Sequence, residues 1–96
     1  MISIHVRFEV EKNSIEQARK LISEFLYEIQ RNESGTIEYR SFFFQSWPHR
    51  FFHIITFEND RAEKIHRNAD YTKKFIDELY KIVTAGPELK FIKEIP

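Results

Sequence analysis

Residues 35–71 read GTIEYRSFFFQSWPHRFFHIITFENDRAEKIHRNADY. Two aromatic segments run against each other across a turn at Ser46-Trp47-Pro48-His49, and the second continues into a helical stretch that carries His66. In the first segment, 36–46, Ile37, Tyr39, Ser41, Phe43 and Gln45 point one way; Thr36, Glu38, Arg40, Phe42 and Phe44 point the other. In the second, 50–58, Phe51, His53, Ile55 and Phe57 share one face, and Phe52, Ile54 and Thr56 share the opposite one. Period-two patterning of this kind predicts a β-hairpin. Both of its faces are apolar, and an isolated pair of strands is marginal in water at best. The rest of the chain is therefore expected to cover one face, and a second copy of the chain the other.

Working outward, residues 2–10 alternate Ile2, Ile4, Val6, Phe8 and Val10 against Ser3, His5, Arg7 and Glu9, which predicts a strand with one fully apolar face. Ser14 with Gln17 has the spacing of a capping box. The series Ile15, Ala18, Leu21, Ile22, Phe25, Leu26 and Ile29 then has helical spacing, and Gly35 is the expected left-handed residue after the helix end. Beyond the hairpin, Asn59 or Asp60 caps a short helix over 61–67, and Asp70 caps a longer one with Tyr71, Phe75, Ile76, Leu79, Ile82 and Val83 on one side. Gly86-Pro87 reads as a helix stop and breaker, and 89–95 as a last strand. The order β-α-β-β-α-β predicts an α+β, ferredoxin-like domain over residues 1–96. Its four-stranded antiparallel sheet has the first and third strands central and both helices on one face. The helix-free face then carries Phe42, Phe44, Phe52 and Ile54, more apolar surface than monomers usually expose. A homodimer packed sheet on sheet is the expected remedy.

Composition narrows the chemistry. The chain has 96 residues, 15 Lys and Arg against 15 Asp and Glu, and no Cys. Zero net charge gives no electrostatic footprint for nucleic acid or an anionic membrane. Without Cys there is no disulfide, iron–sulfur cluster or thiolate zinc site. The opening residues alternate as a strand does, instead of forming an apolar signal region, so a cytoplasmic location is expected. His49 and His53 on one strand stand about 13 Å apart, too far to share an ion. No metal and no cofactor are expected.

The opening strand ending Arg7-Phe8-Glu9-Val10, then Glu33-Ser34-Gly35 with Tyr39 four residues after the glycine, the returning strand ending Phe57-Glu58, and Ala62-Glu63-Lys64-Ile65-His66 together resemble the antibiotic biosynthesis monooxygenase family over nearly the whole chain. The resemblance implies a homodimeric α/β barrel with a pocket between sheet and helices. It also implies, for some members, cofactor-independent oxidation of quinols or phenols by molecular oxygen. Haem-degrading members use an Asn, a Trp and a His at the positions of Val6, Phe57 and Phe75, so that chemistry is not expected here. Quinol-oxidising members often show a second His where this chain has Tyr71.

His66 is the first catalytic candidate, as a base that takes a phenolic proton; the plainer reading is a histidine whose charge meets a helix C-terminus. His53 is the second, a polar group in an apolar pocket that orients a substrate, or else a core histidine satisfied by a neighbour. Val6, Tyr39, Phe57, Tyr71 and Phe75 are expected to bind a small aromatic or quinol-like ligand, with Tyr39 and Tyr71 alternatively placing only their rings in the core. Arg7 and Glu9 are expected to meet partners across the dimer. Two functions are carried forward: a cofactor-independent monooxygenase, hence an oxidoreductase, and a non-oxidative ligand-binding dimer on the same scaffold.

Overall fold

The computed structural model describes residues Met1 to Pro96. The elements run β1 (Ile2–Val10), a 3-10 turn (Lys12–Ser14), α1 (Ile15–Asn32), β2 (Thr36–Phe44), β3 (Trp47–Phe57), α2 (Asp60–Asn68), α3 (Asp70–Tyr80) and β4 (Val83–Ile92). One antiparallel sheet forms in the order β2-β3-β1-β4, with the two strands that hold all of its buried residues in the middle. This is the α+β, ferredoxin-like arrangement. Its Cα envelope is only 17 Å deep, one sheet and one layer of helices.

Helical spacing in α1 delivers Ala18, Ile22, Phe25 and Ile29 to the sheet as a buried seam, and α3 adds Phe75 and Leu79. They close on Phe8, Val10 and Phe51 from the two central strands, forming the main core. A smaller cluster, Ile4, Ile55, Phe57 and Ala62, lies under α2.

Several local expectations shift. The hairpin turns at Gln45-Ser46, and Trp47 and Pro48 already belong to β3, with Trp47 opposite Phe44. Pro48 is tolerated because β3 pairs with β1 only from Arg50 onward, so its missing N–H removes no rung there. Ser14 ends the 3-10 turn and makes no capping bond. Asn59, not Asp60, caps α2 by accepting from the Ala62 N–H, and α3 begins at Asp70 behind Ala69 with no side-chain cap. The last helix stops at Tyr80; Val83 pairs with Val10, and Gly86-Pro87 sits inside β4. There Gly86 takes φ +77° at an irregular register, a conformation that side chains disfavour. Arg7 finds its carboxylate within the chain, at 3.0 Å from Glu88, and Glu9 lies 3.5 Å from Arg50.

Gly35 does not adopt a left-handed conformation; the only positive-φ glycine is Gly86. Gly35 is there for closeness, because a Cβ at this position would lie 2.6 Å from the Ala62 Cβ. Gly35→Ala should therefore force β2 and α2 apart and cost about 1–3 kcal/mol. Thermal melting checks this, at about 4–8 °C per kcal/mol for a domain of this size.

All three helices lie over one face of the sheet. On the other, Phe42 stacks on Phe52 at 4.8 Å, Phe44 tilts against it at 5.5 Å, and His5 stacks from the β1 side at 5.7 Å. Phe44 is 46% exposed, and Phe42, Phe52 and Ile54 are half-buried.

Candidate functional site

Between the helix layer and the sheet lies a cavity of about 330 Å³. Val6 and Phe57 reach it from β1 and β3, Tyr39 from β2, His53 from the middle of β3, and His66 and Phe75 from the helices. Pairing explains the convergence: Val6 is opposite His53, and Tyr39 is opposite Ile55, two residues further along β3 on the same face. Six side chains singled out in the sequence thus line a single cavity. Tyr71 does not. It borders a separate groove between α1 and α3, and its hydroxyl donates to Glu33.

Glu33 follows the last residue of α1, where the helix dipole disfavours a negative charge. Its side chain is only 2% exposed, yet three elements supply donors to it. His66 Nδ1 is 3.0 Å from both carboxylate oxygens, the Thr36 hydroxyl donates to one oxygen and the Tyr71 hydroxyl to the other. Burial alone would raise the Glu33 pKa, but the hydrogen bonds from His66, Thr36 and Tyr71 outweigh it and hold the carboxyl below its usual range. Burial, then the hydrogen bond to Glu33 and the Glu33 and Glu28 charges, raise the pKa of Tyr71. His66 therefore sits in the last turn of α2, as the plainer reading held, but its ring is held by a carboxylate from another helix end.

His53 is 1% exposed and packed edge-on to Phe8 at 5.3 Å. Its Nδ1 is 2.8 Å from the Tyr39 hydroxyl, while its Nε2 is buried without a partner. Burial pushes its pKa down to about 4 and pushes that of Tyr39 up, the Glu33 charge adding to the latter. Between about pH 6.5 and 4 the unfolded chain takes up a proton at His53 that the folded chain refuses, so stability falls as pH drops through that window. The full loss is about 3 kcal/mol at roughly 1.4 kcal/mol per pH unit. Urea unfolding at pH 7 and pH 4.5 should show most of it, and His53→Phe should flatten that slope.

Three residues of the wall have no counterpart among the sequence-predicted site residues. Thr72 lines the cavity with its hydroxyl oxygen buried and unpartnered, and Pro87 and Leu89 bring β4 to the wall. Nothing in the local pattern around these three points to a cavity. Glu33 did leave a signal, an acidic residue at the wrong end of a helix. No three His, Asp or Glu side chains converge as metal ligands, and no helix is long and apolar enough to cross a membrane.

A family model described as antibiotic biosynthesis monooxygenase matches residues 1–78. Among curated proteins no sequence match is found. A crystal structure described as an antibiotic biosynthesis monooxygenase superposes with a TM-score of 0.90 at 17% identity, covering 100% of both chains. A conserved protein from Methanosarcina mazei Go1 superposes with a TM-score of 0.87 at 15% identity, over 98% of this chain and 92% of that one. Rv0793 from Mycobacterium tuberculosis does so with a TM-score of 0.87 at 13% identity, over 99% and 95%. These likenesses concern the fold.

Proposed function

Because this chain belongs to the antibiotic biosynthesis monooxygenase family, we propose that it is a cofactor-independent monooxygenase that oxidises a quinol or phenolic small molecule in the cavity between sheet and helices. The observation that carries the reading is the cavity itself: an apolar chamber of about 330 Å³ with two histidine rings on its wall. Apolar walls with a few convergent polar groups are what an aromatic ligand requires. Phe57 and Phe75 pack against the ring of such a ligand, with Val6 beneath it and the Tyr39 and His53 side chains orienting its oxygens.

In this reading His66 Nε2 takes the proton of a substrate hydroxyl. The resulting phenolate passes one electron to molecular oxygen, and the two radicals combine to form a carbon–oxygen bond. Breaking the oxygen–oxygen bond then releases one oxygen atom as water and leaves the other in a hydroxylated quinone. The quinol supplies all four electrons, so no external reductant enters the balance.

The working unit is a homodimer closed over Phe42, Phe44, Phe52 and Ile54, in the cytoplasm, where a chain without Cys is at no disadvantage. Sedimentation at micromolar concentration should give twice the 11.7 kDa of one chain.

The test of activity is oxygen uptake with a panel of reduced benzo- and naphthoquinones, together with one labelled atom entering the product from ¹⁸O₂. If no quinol or phenol supports uptake, the oxidative reading fails and non-oxidative ligand binding on the same scaffold takes its place.

A further inference from the structure

We propose that Glu33 is a positioning residue that fixes the His66 ring with its proton on Nδ1, so that Nε2 meets the cavity as an acceptor. We propose equally that Tyr39 fixes His53 in the opposite form, with its proton on Nε2. The cavity then offers any ligand one basic nitrogen and one N–H donor, each held in place before the ligand arrives.

Geometry fixes the His66 tautomer. Its Nδ1 lies 3.0 Å from both oxygens of Glu33, and a carboxylate only accepts. Nδ1 must therefore carry a proton whether the ring is neutral or cationic. The carboxylate cannot swing away, because Thr36 from β2 and Tyr71 from α3 both donate to it and its side chain is 2% exposed. That leaves Nε2, which makes no hydrogen bond within the chain, as the open acceptor of the neutral ring. An orienting group behind a histidine that sets its tautomer in this way is a recurrent device of acid–base sites.

His53 is fixed by the opposite logic. The Tyr39 hydroxyl meets only His53 Nδ1, at 2.8 Å. If Nδ1 carried the ring proton, the Tyr39 O–H would itself lack an acceptor. With Tyr39 donating to Nδ1, the ring proton goes to Nε2, the atom left buried and unpartnered against the cavity. The two rings flank Tyr39, with centroids 5.3 Å and 5.7 Å from its own. A bound molecule that satisfies both offers a hydroxyl proton to His66 and an oxygen lone pair to His53.

The tautomers can be read in the free, ¹⁵N-labelled protein by long-range ¹H–¹⁵N correlation of the histidine rings. We expect the Nδ1–H pattern for His66 and the Nε2–H pattern for His53. In Glu33→Gln, whose carboxamide can either accept from or donate to Nδ1, His66 should move toward the Nε2–H form that free imidazole prefers, while His53 stays unchanged. Tyr39→Phe should release His53 and leave His66 alone. A wild-type spectrum with His66 protonated on Nε2 overturns the proposal and needs no variant to fold; so does a Glu33→Gln spectrum identical to wild type. A kinetic arm rests on the reading of His66 as the base: in Glu33→Gln, kcat should fall about 10–100-fold with KM nearly unchanged. Failure of all oxygen uptake would remove the proposed activity while leaving the ring spectra to decide the tautomers by themselves.

Discussion

Phe52→Asp is expected to turn the proposed dimer into a folded monomer. Phe52 stands at the centre of the helix-free face, touching Phe42, Phe44 and His5. In a two-fold interface it occurs twice, so the penalty of an unpaired carboxylate is incurred twice. Losing about 2 kcal/mol at each of two central positions weakens association by on the order of 10³-fold. Sedimentation should give 11.7 kDa at concentrations where the parent gives twice that. Circular dichroism should still report the folded chain, because the side chain is already half-open to solvent on one subunit. A variant that keeps the dimer mass would place the interface elsewhere. Aggregation on unfolding would mean that the subunit needs its partner to fold, and the milder Phe44→Ser, at a more exposed position, would then be the variant to weigh.

His66→Ala should lower quinol turnover by about 10²-fold or more, the usual scale for a lost general base. The same change takes one donor from the buried Glu33 carboxylate, so a lower melting temperature is expected too and decides nothing by itself. His66→Gln separates the effects, since its carboxamide can still donate to Glu33 but cannot take a proton. Loss of turnover in both variants, with melting restored only in the second, fits a base. Turnover near the parent's in either variant would make His66 a structural tie between α1 and α2. Dimerisation should survive both changes, because His66 lies on the helix side of the sheet.

The strands were legible because they alternate. Ile4, Val6 and Phe8 against His5, Arg7 and Glu9 admit only one way of facing a core, and the hairpin followed from the same arithmetic. The expected turn falls later than the observed one because Pro48 is a stronger turn signal than Ser46, and Gln45 carries none. The start of β4 was misread for a related reason: Val83 continues the helical spacing of Leu79 and Ile82, and only its pairing with Val10 makes it strand. Of the cavity, the strand positions could be read from face assignment alone. His66 could be placed near it, but not the carboxylate behind it, since Glu33 lies 33 residues away and meets it only once the chain is folded. Tyr71 was expected at the cavity because it shares a helix face with Phe75, yet its hydroxyl is drawn to Glu33.

The strand order β2-β3-β1-β4 also bears on how the chain behaves while it is being made. β1 leaves the ribosome first, but neither of its neighbours exists until later: β3 begins at Trp47 and β4 at Val83. At about 5–20 residues per second, some 4–15 s pass between completion of β1 and the first residues of β4. For that interval Ile4, Val6 and Phe8 form an apolar strand with an unfilled edge, the kind of segment that chaperones bind and that nascent chains on neighbouring ribosomes can pair with. The cavity wall at Pro87 and Leu89 is completed last of all, so a nascent chain can own most of its core well before it can hold a ligand.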